Sequence, residues 1–258
     1  MSKQLIPAQR REQIQEYLGQ HKVVSSSDLS ELLAVSEATV RRDLEWLEGA
    51  GLLTRTHGGA VISRQLHIEP EYAKRTQRLV AEKWAIGKLA VSLIDEGDIV
   101  FVNSGTTTTQ LIHQLRPDID ASLITNNLAA VTEIGDIGYD LILLGGAFQS
   151  KSRSAAGRFA MENLSQIYAD KAFIAVDGIS PEHGCTVPSN AEAEVIKMMI
   201  ERTNGPVSIL ADHSKWGLVS NFEVAKFGQF QRLISDHGLP EGALQSLSAY
   251  PIDVLMAA

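Results

Sequence analysis

Two hydrophobic rhythms divide this chain. Through about residue 62, apolar residues fall at helical spacing. Ile14 and Leu18 share one face of a helix expected over about residues 8–20, and Val40, Leu44 and Leu47 sit at i, i+4 and i+7 of a later one. The stretch from Val24 to Leu44 reads as two short helices joined by a tight turn, with Ser27 and Ser36 placed to cap them. Residues 52–61 then read as strand, glycine turn, strand. Beyond residue 80 the rhythm changes to short, nearly unbroken apolar runs: Ile99-Val100-Phe101-Val102, Leu123-Ile124, Leu141-Ile142-Leu143-Leu144, Phe173-Ile174-Ala175-Val176, Val207-Ser208-Ile209-Leu210 and Leu233-Ile234. Helical patterns such as Ile86, Leu89, Ala90 and Leu93 lie between most of them. Strands of that kind are buried on both faces, which predicts a parallel or mostly parallel α/β sheet. Residues 63–79 are polar and charged, contain Pro70 and read as a linker. The expected organisation is a winged helix-turn-helix over residues 1–62, a linker over 63–79 and a larger α/β domain over 80–258.

The first unit carries the chemistry of a nucleic-acid reader. On the second helix of the pair, Ala38, Arg42 and Glu45 point away from the apolar stripe, with Arg41 and Trp46 on its flanks. Small side chains and arginine on an outward face suit a DNA major groove, where arginine pairs with O6 and N7 of guanine. Ser36, Ala38, Thr39, Arg41 and Arg42 are the candidate contacts on this helix. In the wing, Gly58-Gly59 permits a tight turn, and Arg55, His57 and Arg64 can reach phosphate or the minor groove. Arg55, His57 and Gly58 complete the candidate set. An arginine pair on a helix is ordinarily a solvated face. A cap, an apolar stripe, two arginines and a Gly-Gly wing, all within residues 24–64, outweigh that reading.

Composition sharpens the picture. At 258 residues the chain is too long for a winged helix alone, and 44% apolar content supports a sizeable second core. The net charge of −8 is unevenly placed: residues 1–64 hold 8 basic and 8 acidic side chains, residues 65–258 hold 15 and 23. A neutral head binds duplex DNA weakly by itself, which predicts a homodimer or homotetramer engaging paired sites. Cys185 is the single cysteine, so neither a disulfide framework nor a cysteine zinc site is expected, and no metal or cofactor is implied. No run approaches the roughly 18–20 apolar residues of a membrane span, and no apolar signal core follows Met1. The expectation is a cytoplasmic protein with no membrane partner.

In parallel α/β sheets, ligands bind beyond the carboxyl ends of the strands. Five such ends carry polar or glycine clusters here: Asn103-Ser104-Gly105-Thr106-Thr107-Thr108-Thr109, Thr125-Asn126-Asn127, Gly145-Gly146, Asp177-Gly178 and Asp212-His213-Ser214-Lys215. The first is the best phosphate candidate, because hydroxyls and backbone N–H groups converge at a helix start whose dipole favours an anion. It has neither Walker nor dinucleotide spacing. Taken alone, a simple helix cap explains it equally well. Lys215 offers a cation to the same pocket.

These residues resemble a known family. Thr39-Val40-Arg41-Arg42-Asp43-Leu44, His57-Gly58-Gly59-Ala60, Ser104-Gly105-Thr106-Thr107, Thr125-Asn126, Leu144-Gly145-Gly146 and Asp212-His213-Ser214-Lys215-Trp216-Gly217 occur in the order of the DeoR family of bacterial sugar-metabolism regulators, over nearly the whole chain. The resemblance implies a C-terminal domain similar to ribose-5-phosphate isomerase that senses a phosphorylated sugar, in a protein that represses transcription from operator DNA. The ligand-binding residues it implies are Asn103, Ser104, Gly105, Thr106, Thr107, Thr125, Asn126, Gly145, Gly146, Asp177, Glu192 and Lys215. Members usually carry aspartate where this chain has Asn103, which removes a charge beside the phosphate candidate. Asn190-Ala191-Glu192 fits the acidic helix start that members place near the pocket, although an acidic first turn is also ordinary dipole complementation. An isomerase-like enzyme with a DNA-binding appendage is the alternative. It needs a carboxylate base, for which Asp177 and Glu192 are the candidates, with Glu182 the nearest further acid. The expectation is a regulator without catalysis.

Overall fold

The computed structural model describes residues 7–21, 23–49, 53–56, 58–62 and 72–258. The chain divides into two compact units, residues 1–65 and 66–258. His57 and Arg64, both expected at the wing, lie outside the described residues.

The first unit runs α1 (Pro7–His21), β1 (Val23–Ser25), α2 (Ser26–Leu33), α3 (Glu37–Gly49), β2 (Leu53–Thr56) and β3 (Gly59–Ile62). The strands form an antiparallel sheet in the order β1-β3-β2. The predicted stripe is the core: Ile14, Leu18, Leu29, Val40, Leu44, Leu47 and Leu53 are buried together. Asp43 faces inward from α3 and is held by Arg10 Nε at 2.8 Å and Arg11 Nε at 3.0 Å, tying α1 to α3. The cap of α2 is Ser25, where Ser27 was expected. Asp28, three residues after Ser25, closes a reciprocal box: Asp28 N donates to Ser25 Oγ at 3.0 Å and Ser25 N donates to Asp28 Oδ2 at 3.4 Å. Ser36 caps α3 as expected, accepting from Thr39 N at 3.3 Å. Gly59 is the wing glycine that sterics demand, because a Cβ there would stand 1.9 Å from the Val24 carbonyl oxygen.

The second unit runs α4 (Tyr72–Arg75), α5 (Val80–Val91), β4 (Ile99–Val102), α6 (Thr106–Gln114), β5 (Ser122–Thr125), α7 (Leu128–Glu133), β6 (Asp140–Leu143), β7 (Ala147–Gln149), β8 (Ser154–Ala156), α8 (Arg158–Leu164), β9 (Lys171–Ala175), β10 (Gly178–Ser180), β11 (Gly184–Val187), α9 (Asn190–Glu201), β12 (Val207–Leu210), β13 (Phe222–Ala225), β14 (Arg232–Asp236), α10 (Glu241–Leu247) and β15 (Asp253–Ala257). Seven strands form a parallel sheet in the order β15-β14-β12-β9-β4-β5-β6. Alternation along β4 shows why its run is apolar throughout. Phe101 packs into the core under α8, α9 and α10, while Val100 and Val102 pack under α5 and α6 on the other face. Each large apolar side chain buried this way contributes about 1.5–3 kcal/mol. Two small antiparallel sheets, β10-β11-β13 and β7-β8, are added beside the main one. Cys185 lies fully buried in β11, and burial pushes its thiol far above the ordinary range.

The predicted linker ends earlier than residue 79. Tyr72 is 4% exposed, its N–H donates to the Lys151 carbonyl at 3.2 Å, and its hydroxyl meets Thr109 Oγ1 at 3.0 Å. Lys83 Nζ donates to the Arg75 and Arg78 carbonyls, each at 2.6 Å, closing the segment. Residues 72–79 are therefore part of the folded body, because an aromatic ring and a buried ammonium anchor a stretch whose remaining residues are polar.

Candidate functional site

A cleft opens at the carboxyl ends of β4, β5, β9 and β12, with about 490 Å³ of empty space, its mouth included. Its floor is the turn from β4 into α6. Gly105 is packed so closely against β9 that a Cβ would fall 2.7 Å from Ala175 Cβ. That close approach brings the first turn of α6, whose leading N–H groups have no acceptor within the helix, against the sheet. The threonines divide in two. Thr108 and Thr109 turn back and donate to the Gly105 carbonyl at 3.0 and 2.8 Å. Ser104, Thr106 and Thr107 line the cleft, and no hydrogen bond engages their hydroxyls among the described residues.

Asn126, at the end of β5, holds this turn. Its Oδ1 accepts from Ser104 N at 2.8 Å and its Nδ2 donates to the Ala155 carbonyl at 2.9 Å. Asn103 is 2% exposed, and both ends of its amide are spent on β9. Oδ1 accepts from Ala175 N at 2.7 Å and Nδ2 donates to the Ala175 carbonyl at 2.9 Å. An ionised aspartate in this position could not make the second bond. Asn103 thus lines the cleft as a clasp between two strands, with one bond made at each end of its amide.

Charge in the cleft centres on Asp177, just past β9. Its Oδ1 lies 3.3 Å from Arg75 Nη1 and 3.9 Å from Lys215 Nζ, with all three side chains largely buried. Glu192, in the first turn of α9, is the second carboxylate of the lining, and Ser152, Val176, Val187 and Ile196 complete the walls. Arg75 went unseen in the sequence because it sits among the charged residues of the predicted linker, where nothing local distinguishes it. A bound pair of strands also orients the loop that carries Lys215. Asp236, at the end of β14, accepts from His213 N at 2.7 Å, His213 Nδ1 at 2.7 Å and Gly238 N at 2.9 Å. Burial opposes its charge, yet these bonds outweigh burial and hold the carboxyl below the usual aspartate range.

Nine of the twelve expected ligand residues therefore meet in one cleft: Asn103, Ser104, Gly105, Thr106, Thr107, Asn126, Asp177, Glu192 and Lys215. Three do not. Thr125 is fully buried, its hydroxyl donating to the Val102 carbonyl at 2.6 Å and accepting from Asn127 N at 3.1 Å, so it joins β4 to β5. Gly145 and Gly146 lead into the β7-β8 hairpin, where a Cβ on Gly146 would stand 2.6 Å from the Ala156 carbonyl oxygen. Their small size serves hairpin packing. Among the described residues, no group of three or more His, Cys, Asp or Glu is placed to hold a metal ion.

In the first unit, α3 presents Ala38, Arg41, Arg42 and Glu45 to solvent, opposite the buried Val40, Leu44 and Leu47. Thr39 is half-buried beside the Ser36 cap. Arg41 Nη2 lies 3.7 Å from Glu37 Oε2, whereas Arg42 makes no ion pair among the described residues. Arg55 is directed differently from the sequence expectation: its Nη1 lies 3.0 Å from Glu45 Oε1, and its N–H donates to Glu48 Oε1 at 2.9 Å, so it fastens β2 to α3. Gly58 is exposed at the turn, its carbonyl accepting from Ser26 N at 2.8 Å. Among the described residues, no helix is long and apolar enough to cross a membrane.

Known proteins match both units. The DeoR-like helix-turn-helix domain matches residues 10–65, and the DeoR C terminal sensor domain matches residues 78–237. The chain is 35% identical to the HTH-type transcriptional repressor GlcR of Bacillus subtilis over 235 residues, 91% of this chain and 90% of that one. It is 31% identical to a putative aga operon transcriptional repressor of Escherichia coli O157:H7 over 252 residues, 96% of this chain and 93% of that one. Among solved structures it is similar to ribose 5-phosphate isomerase A of Methanocaldococcus jannaschii, at 17% identity and a TM-score of 0.37, over 52% of this chain and 53% of that one. A helix-turn-helix unit with an exposed arginine face, followed by a sensor domain matched over most of its length, makes this chain a DNA-binding transcriptional regulator of the DeoR family.

Proposed function

We propose that the protein is a sequence-specific repressor of a carbohydrate-metabolism operon and that a phosphorylated sugar in the cleft controls its affinity for DNA. One observation carries the reading. Ser104, Thr106 and Thr107 place unengaged hydroxyls around the start of α6, and the cations of Arg75 and Lys215 line the same cleft. Hydroxyls, helix-start N–H groups and paired cations are the donors a phosphate needs. Asp177 holds both cations in place until an anion takes over part of that pairing, and Glu192 and Asn126 face the space a sugar would fill. Relatives named as repressors support the sign of regulation. The neutral head supports a homodimer or homotetramer.

The test is a thermal-shift screen against phosphorylated sugars with DNA release followed in parallel, because a ligand that binds only the folded state raises the melting temperature. Thr106→Asp puts a negative charge into the cradle. It is expected to abolish both the shift and the release while operator binding without ligand persists. Lys215→Ala is expected to weaken the ligand by about 1.5–3 kcal/mol, the size of a charge-assisted hydrogen bond. A Thr106→Asp protein that responds like the wild type places the phosphate elsewhere and leaves the turn a helix cap. Turnover of any pentose or hexose phosphate by the purified protein would favour the isomerase alternative.

A further inference from the structure

Among the described residues, four charged side chains line the cleft, and their signs balance: Arg75 and Lys215 against Asp177 and Glu192. Three of them meet, with Asp177 Oδ1 3.3 Å from Arg75 Nη1 and 3.9 Å from Lys215 Nζ. Glu192 is different: no ion pair or hydrogen bond engages its carboxylate among the described residues. A glutamate at a helix start ordinarily complements the helix dipole and faces water. Glu194 fits that description, being exposed, with Oε1 accepting from Asn190 Nδ2 at 3.1 Å. Glu192 is half-buried and shares one face of α9 with Ile196, a turn further on, and both line the cleft. Ile196, Val176 and Val187 make the walls there apolar, so the charge of Glu192 is poorly screened. An ionised carboxylate can only accept hydrogen bonds. The cleft thus offers donors at the start of α6 and a negative acceptor on α9.

We infer that Glu192 sets the class of effector: a phosphate monoester whose remaining polar groups are hydroxyl or ammonium donors, in preference to a sugar acid or a bisphosphate. The inference rests on the phosphate reading above and deepens it. A phosphate takes the field of Arg75 and Lys215, and no further cation lines the cleft among the described residues. A second anionic group therefore meets Glu192 uncompensated, and like charges held together in such a site repel strongly. A hydroxyl or an ammonium instead gives the carboxylate a charge-assisted hydrogen bond. Selection comes as much from the repulsion of the wrong ligand as from attraction of the right one.

Thermal shift of the full-length chain with matched esters tests the inference. Ribose 5-phosphate is set against 5-phosphoribonate, glucose 6-phosphate and glucosamine 6-phosphate against 6-phosphogluconate, and fructose 6-phosphate against fructose 1,6-bisphosphate. In the set that gives the largest shift, the acid or bisphosphate is expected to bind the wild type about tenfold or more weakly than its partner. The stronger of glucose 6-phosphate and glucosamine 6-phosphate tells a hydroxyl donor from an ammonium, and either supports the inference. Glu192→Gln keeps the size of the side chain and is expected to remove most of the discrimination, and Glu192→Lys to reverse it, with the unliganded melting transition retained in both. An acid or bisphosphate that binds the wild type as well as its partner overturns the inference and leaves the phosphate reading standing. That comparison holds whether or not the variants fold. A discrimination that Glu192→Gln leaves unchanged overturns it too, as do two folded variants that bind neither member, which would make Glu192 a support of the wall. If no phosphate ester shifts the wild type, both readings fail.

Discussion

Asn103 is a clasp. In a cleft expected to receive phosphate, its amide joins β4 to β9 through one bond at each end. Asn103→Ala removes both bonds and strands the Ala175 N–H and carbonyl. It is expected to cost about 1–3 kcal/mol, read as a lower denaturation midpoint. Asp236 makes a second prediction. Its folded carboxyl titrates below the unfolded value of about 3.9, so the stability it contributes is present above about pH 4 and is lost as pH falls through its folded value. Melting curves between pH 3 and pH 7 should show the wild type losing stability over the acid end more steeply than Asp236→Asn. Equal slopes would mean that the three bonds to this carboxylate do not matter to folding. Neither role was legible in the sequence. Asn103 and Asp236 each act on backbone or side chains far along the chain, at Ala175 in one case and His213 in the other, and pattern carries no such information. Local chemistry was legible where the partner is near: Ser36 was placed correctly, and Ser27 was displaced by Ser25 only because Asp28 completes a box with the earlier serine.

At the scale of elements, the central strands were the clearest signal, because a strand buried on both faces must be apolar throughout. β15 escaped, as a run at the chain end whose residues are only partly buried at the sheet margin. β7, β8, β10, β11 and β13 escaped because three or four residues set no rhythm. The helical turn α4 escaped because its anchor is a single ring in a polar stretch. Tyr72 is the element's hold on the body. Its hydroxyl joins Thr109, which also receives Asn127 Nδ2 at 2.9 Å and donates to the Gly105 carbonyl. This buried chain runs from the end of the linker to the floor of the cleft. Tyr72→Phe keeps the ring and removes one bond from it. The expected loss is about 0.5–1.5 kcal/mol in global stability, measured by denaturant titration. A loss near zero would show that the chain of hydroxyls is held by its other members.

At the scale of the whole molecule, charge separates the two units. The head is neutral and its exposed cation free of acidic neighbours is Arg42, at least among the described residues, whereas Arg41 shares its charge with Glu37 and Arg55 with Glu45 and Glu48. Arg42→Ala is therefore expected to reduce operator affinity more than Arg41→Ala. The expected loss is about 1–3 kcal/mol if the arginine reads a base, with specificity relaxed at one position. If it touches phosphate, all sequences should weaken together and the salt slope should fall by about one. Titrations of both variants at several salt concentrations distinguish these outcomes, and unchanged affinity in both would remove α3 from the DNA interface. A neutral head and an acidic body were legible from residue counts alone. Asp177 and Lys215 were placed in one pocket from their positions after strand ends, but Arg75, which meets Asp177 from before the sheet, was not, because no local pattern marks a residue that only the closed sheet brings there.

Cys185 gives the molecule a built-in clock. It is the chain's one thiol, it lies wholly inside β11, and that strand ends at Val187 in the cleft wall. A thiol reagent can reach it only when the structure around β11 opens, and burial keeps the sulfur in its unreactive protonated form until then. The rate of labelling under native conditions thus measures the opening of the body around β11. Any molecule that seats in the cleft and braces it should slow that rate, without a reporter having to be introduced anywhere in the chain.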